Sequence, residues 1–162
     1  MLLLLQLSSL AFAKPCPNYN AEKQVFFGDL HVHTHRSLDA SLQGTLTTHQ
    51  QAYDFARGGD LYLPHLATSL RLTTPLDFVA ITDHAEFLGE VSICTHRENP
   101  GFNSLTCRLY RNIPSLAFYI LNAQTAKKAR GTPPKVPRLA MCKGKDVRCV
   151  EEGQFVWKRI IQ

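Results

Sequence analysis

The chain has 162 residues, 44% of them hydrophobic and 19% charged, with a formal net charge of +5. That composition suits one folded domain with a core and excludes a disordered or fibrous chain. The charge is uneven: from Lys127 onward ten Lys and Arg stand against three Asp and Glu, so the rest is slightly acidic. No aromatic residues interleave with the basic ones as base-stacking requires, which argues against a nucleic-acid partner. The basic stretch reads first as solvated surface and second as a rim attracting a small anionic substrate.

In chain order, Met1 to Leu10 is a short apolar run followed by the small-x-small site Ala11-Phe12-Ala13. It is too short to span a bilayer and reads as a signal peptide over residues 1–13, followed by a domain over residues 14–162. Lys14-Pro15-Cys16-Pro17 cannot continue a helix. No basic residue precedes the leucines, so the first residues are expected to lie inside a longer leader. Export to the periplasm or the cell exterior leaves no membrane association after cleavage. It also places Cys16, Cys94, Cys107, Cys142 and Cys149 in an oxidising compartment. Cys94 with Cys107 and Cys142 with Cys149 are the closest pairs, although spacing leaves the connectivity open. No Cys-x-x-Cys is present, which argues against a zinc ribbon or a thioredoxin-type site.

Gln24 to His33 reads as a first strand, apolar on both faces until Asp29, as in a central parallel strand. Thr34 to Thr45 reads as a polar loop. Thr47 to Arg57 reads as a helix, capped by a threonine and ended by Gly58-Gly59. Leu61 to Thr74, punctuated by Pro64 and Pro75, is ambiguous. Asp77 to Thr82 reads as a buried second strand, so strand, helix, strand predicts a βαβ unit and a parallel sheet. About 91–150 reads as an irregular insertion, with one helix near Ser115 to Arg130 stopped by Pro133-Pro134. A last helix starts at Glu151, and the lack of any stop signal after it suggests a longer protein.

Both strands end in residues that bind metals. Alternate residues of a strand share a face at about 6.6 Å spacing, so Asp29, His31 and His33 point the same way. Two imidazoles so placed can converge on one ion, with Asp29 set to accept a ring N–H and fix a tautomer. Asp83-His84 ends the second strand; adjacent side chains diverge there, so His84 is the expected ligand and Asp83 a carboxylate that either supports the ligands from behind or bridges, and the catalytic candidate. Asp39, in the loop above the first strand, is a further candidate ligand, ahead of Glu86. His35 reads as a surface residue, and His49, His65 and His96 carry no partner pattern. Ser37, Ser41 and Cys94 lack the context of a nucleophile.

Asp29-Leu30-His31-Val32-His33-Thr34 with Ile81-Thr82-Asp83-His84 resembles the first two motifs of the polymerase and histidinol phosphatase (PHP) superfamily. Phe27 to Thr34, Ser37-Leu38-Asp39-Ala40, Tyr53 to Gly58 and Ile81 to Glu90 are closer still to its exported branch, domain of unknown function 3604 (DUF3604). A weaker echo follows at Val156 to Ile161. The resemblance implies the amino-terminal part of a distorted (β/α)7 TIM-like barrel, an α/β fold. It implies metal ligands at His31, His33, Asp39 and His84, and up to three divalent ions (zinc, manganese or iron). The implied chemistry is phosphoester hydrolysis with metal-activated water. The family's later ligands have no counterpart here, so the chain is expected to hold only part of the metal cluster. Two alternatives stand: an amidohydrolase-like metallohydrolase, which shares His-x-His but not Thr-Asp-His, and an exported non-catalytic metal- or anion-binding module.

Overall fold

The computed structural model describes residues 17, 22, 24–128 and 138–162, with backbone alone over 124–128. The expected leader over residues 1–13, Cys16 and residues 129–137 of the basic stretch lie outside the described residues.

The fold is mixed α and β with two small sheets, and the described residues form no closed barrel. Strand β1 (Gly28–Val32) pairs in parallel with β4 (Phe78–Ile81), joining the two ends expected to carry the site. Asp77 N to Phe27 O at 2.8 Å and Thr82 N to Val32 O at 2.7 Å extend the ladder at both ends. The first strand is shorter than its pattern suggests, because residues 24–26 stay outside the ladder and Phe27 joins it only through its carbonyl. The strands are also not buried on both faces as expected. Val25, Phe26, Phe27, Leu30 and Phe78 are exposed, since the helix His49–Ala56 covers only part of this two-stranded sheet.

The crossover between the strands carries helix α1 (Leu38–Leu42), helix α2 (His49–Ala56) and an antiparallel hairpin of β2 (Leu61–Leu63) and β3 (Thr68–Leu70). Helix α1 corrects the loop expected over Thr34 to Thr45: Leu38, Ala40 and Leu42 bury an apolar face there that a loop would not use. Helix α2 starts as its sequence dictates. Thr48 and Gln51 form a reciprocal capping box, and Gly58 ends the segment at φ 87°. The ambiguous Leu61 to Thr74 resolves as the hairpin, turned through Pro64–Leu66 and a left-handed Ala67.

Among the described residues, 91–150 are not the irregular insertion expected: the one helix expected near Ser115 to Arg130 is present and is joined by others. Helices α3 (Leu88–Thr95), α4 (Leu105–Asn112), α5 (Pro114–Lys128) and α6 (Cys149–Ile160) pack into the main hydrophobic core. Sequence periodicity misses α3 because it is central: Leu88 through Cys94 are all buried, so it has no polar face to mark it. Disulfides Cys94–Cys107 and Cys142–Cys149 brace this half by closing short loops. Tyr110, buried on α4, donates to Ser41 Oγ at 2.6 Å and ties the core to α1; its burial pushes the phenol pKa up to about 12. Among the described residues no helix is long and apolar enough to cross a membrane.

Helices α3 and α6 cross at Gly89. A Cβ there would overlap the Cys149 carbonyl oxygen and stand 2.9 Å from Gly153 N, both backbone atoms that cannot swing aside. Gly89→Ala is therefore expected to cost about 3 kcal/mol, near the upper end for overpacking, as read by urea unfolding. A loss below about 0.5 kcal/mol would show that the helices do not approach this closely.

Candidate metal centre

Parallel pairing brings the carboxyl ends of β1 and β4 to one rim, where open α/β sheets place their ligand sites. The chain crosses this rim three times, at Thr34–Ser37 after β1, Thr47–His49 before α2, and Thr82–Phe87 after β4.

Asp83 locks those crossings together. Its carboxylate accepts from Thr34 N at 2.5 Å, Thr34 Oγ1 at 2.7 Å and His49 Nε2 at 2.6 Å. The side chain is only 7% exposed. Burial pushes its pKa up, but the bonds from His49 and Thr34 outweigh that and hold it below the ordinary 3.8. Of the roles expected for Asp83, this geometry is that of a supporting carboxylate, with both oxygens engaged in positioning the rim. Ser37, fully buried, accepts the His84 amide at 3.0 Å and is a second tie between the strand ends. His35 clasps the crossover, its backbone N and ring Nδ1 both donating to Thr47 O at 3.0 Å; burial lowers its pKa.

On this frame His33, Asp39 and His84 converge. One donor atom from each lies within 4.8 Å of the other two. His33 Nδ1 stands 2.9 Å from Asp39 Oδ2, and His84 Nε2 stands 3.6 Å from the same oxygen. Two donors bound to one ion at about 2.1 Å lie about 3.0–3.4 Å apart. The two separations bracket that range, and His33 Nδ1 and Asp39 Oδ2 are hydrogen-bonded to each other, so a shared metal needs only a small shift of these side chains. The donor set also fits: two imidazoles and a carboxylate suit zinc, manganese or iron. His84 Nδ1 faces Glu86 Oε1 at 3.3 Å, which points the other ring nitrogen at Asp39. Partial burial pushes the Asp39 pKa up, but bonds from Ser37, the Ala40 amide and His33 hold it below the usual carboxylate value.

The remaining expected residues are placed differently. His31 lies on the same face as His33, ring centroids 4.8 Å apart, but outside the three-donor cluster. Asp29 does not fix a histidine tautomer; its Oδ1 accepts the His31 backbone N–H at 2.8 Å instead. A turn between residues two apart forms more readily than a reach to a ring.

Sequence reasoning missed His49, Thr34 and the weight of Glu86. His49 had a usable signal: it opens α2, and the amino end of a crossover helix sits at the strands' carboxyl rim. Arg36, between His33 and Asp39, adds positive charge. Burial lowers its pKa, as does repulsion from Arg159, against attraction to Asp83. An apolar groove of about 490 Å³, lined by Val32, Phe55, Leu61, Leu76 and Val79, opens beside His33. Glu90, Cys142 and Cys149 also lie close together. Those two sulfurs are bonded to each other, so no thiolate is left to hold a metal.

The family described as protein of unknown function (DUF3604) matches residues 20–162. The chain belongs to the DUF3604 family. No curated protein and no solved structure matches this DUF3604 chain. The match takes in both strands, the rim and the helical half, so the site and its support fall within one family domain.

Replacing Asp83 with Ala leaves Thr34 N–H and His49 without their acceptor and is expected to cost about 3 kcal/mol in urea unfolding. Asp83 has a depressed folded pKa, so its stabilisation is complete above its ordinary value near 3.8 and disappears as pH falls through the lower folded value. Asp83→Asn should flatten that acid-side fall in stability. An unchanged acid limb in Asp83→Asn would contradict the assignment.

Proposed function

We propose that this DUF3604 chain carries part or all of the metal site of an exported, divalent-metal-dependent hydrolase of the phosphoesterase type. The convergence of His33, Asp39 and His84 at the carboxyl rim of two parallel strands carries this reading. Two imidazoles and a carboxylate are also the protein donors of catalytic zinc sites that leave a position for water. When bound there, a divalent ion would offset charge on a phosphoryl oxygen and make a water acidic enough to lose its proton near neutral pH.

This chain's own residues supply the rest. His33, Asp39 and His84 hold the ion, and Glu86 Oε1, 3.3 Å from His84 Nδ1, faces that nitrogen and leaves Nε2 toward Asp39. Asp83 and Ser37 hold the strand ends in register. Arg36 favours an anionic substrate at the rim. His31, one step back on the same strand face, is placed to extend the donor set toward a second ion. The two disulfides support an oxidising compartment, and hence export. The wider kinship with PHP hydrolases and their barrel belongs to the same proposal, and the uncovered apolar sheet faces support it. Parallel strands are ordinarily covered on both sides.

Calorimetric titration of the chain with zinc or manganese is expected to show a bound ion. His33→Ala and His84→Ala should each weaken binding about 100-fold, and Asp39→Asn about tenfold or more. Chelator-sensitive phosphate release from an aryl phosphate ester, lost in His84→Ala, would support the hydrolase. Metal binding without such release would favour the non-catalytic module, and no binding would overturn the site.

A further inference from the structure

Glu90 is fully buried in α3, 0% exposed, and burial pushes its pKa up against the pull of Arg138. A buried carboxylate is costly unless it is paired. Arg138 supplies the partner, its Nη1 lying 3.1 Å from both Glu90 oxygens. The Cys142–Cys149 disulfide walls the pair, with Cys142 Sγ 3.4 Å from Glu90 Oε1.

The same guanidinium nitrogen also donates to the Glu86 carbonyl at 2.7 Å. Glu86 belongs to the 3₁₀ turn Ala85–Phe87, whose amino end has no side-chain cap and whose Phe87 N–H reaches the His84 carbonyl only at 3.4 Å. Ser37 Oγ holds the His84 amide at the start of this turn and the Leu88 N–H returns to Ala85 O, while Arg138 adds the bond that holds its middle residue, Glu86. The turn carries both His84, at its start, and the Glu86 carboxylate that orients the His84 ring. A continuous series of contacts therefore runs from the disulfide-braced helices through Glu90, Arg138 and Glu86 to His84.

We propose that Glu90 and Arg138 are positioning residues for the metal site, holding the Ala85–Phe87 turn so that His84 meets His33 and Asp39. This rests on the metal-site reading above. A pair serving only to neutralise buried charge would need no bond to the Glu86 carbonyl. Arg138 instead divides one nitrogen between the charge and the turn, which couples helix packing to ligand geometry.

The test is cobalt(II) titration of the full chain, read by visible absorption and by affinity, with the metal-free melting temperature measured alongside. Glu90→Gln and the double variant Glu90→Gln/Arg138→Gln, which leaves no unpaired buried charge, should each lose about tenfold in cobalt affinity and shift the absorption bands. Arg138→Lys, whose ammonium offers three N–H donors on one nitrogen for the Glu86 carbonyl and the Glu90 carboxylate, should stay within about threefold of the unaltered chain. Unchanged affinity and spectrum in the variants, whatever their melting temperature, would overturn the positioning role and leave the metal site standing. An unaltered chain that binds no cobalt would instead remove the metal-site reading itself.

Discussion

The Asp83 carboxylate accepts three hydrogen bonds, two from Thr34 and one from His49, and the rest of the rim depends on it. Strand pairing alone brings β1 and β4 side by side, but the chain leaves each strand immediately afterward and could diverge. By bonding to the residue after the first His-x-His and to the first residue of the crossover helix, Asp83 makes the two strand ends and the helix start one rigid corner. His33 and His84 are the immediate neighbours of Thr34 and Asp83 in sequence, so their approach follows from that corner. The local rule is simple: the second strand donates its aspartate to the frame and its histidine to the site.

The molecule separates load-bearing from chemistry. Most of the buried apolar residues lie in the helical half, where α3 is surrounded on all sides and two disulfides limit the unfolded chain. The strands that present the site are thin and largely exposed on their apolar faces. A site built on a two-stranded ladder needs support from elsewhere. Ser37 and Asp83 supply it within the rim, and Arg138 carries it across from the helices. Gly89 belongs to the same account, because the close crossing of α3 and α6 sets where Glu90 sits relative to the turn.

Much of this was legible in the sequence, for identifiable reasons. Parallel pairing of the strands followed from two apolar runs flanking a capped helix, and both disulfides joined the closest cysteine pairs. His31, His33 and His84, at strand ends, and Asp39, beyond the first strand, stood out as metal-capable residues, and three of these four lie together. Other features were hidden because their signals are not local. Helix α3 has no polar face, so neither periodicity nor composition separates it from a loop. Helix α1 is only five residues long, too short for a helical period to show. The partners of Asp83 lie 49 and 34 residues away and Arg138 lies 48 from Glu90, at separations that no motif spans. The predicted burial of the first strand misled because an apolar strand states what it can pack against, and not whether that partner is among the residues described.

The most direct measurement is X-ray absorption at the zinc edge on the zinc-loaded chain. The account predicts nitrogen and oxygen scatterers at about 2.0–2.1 Å, with the outer-shell pattern of two imidazoles and no sulfur at about 2.3 Å. A spectrum with sulfur in the inner shell, or with no imidazole pattern, would contradict the assignment of His33, Asp39 and His84 as the metal centre.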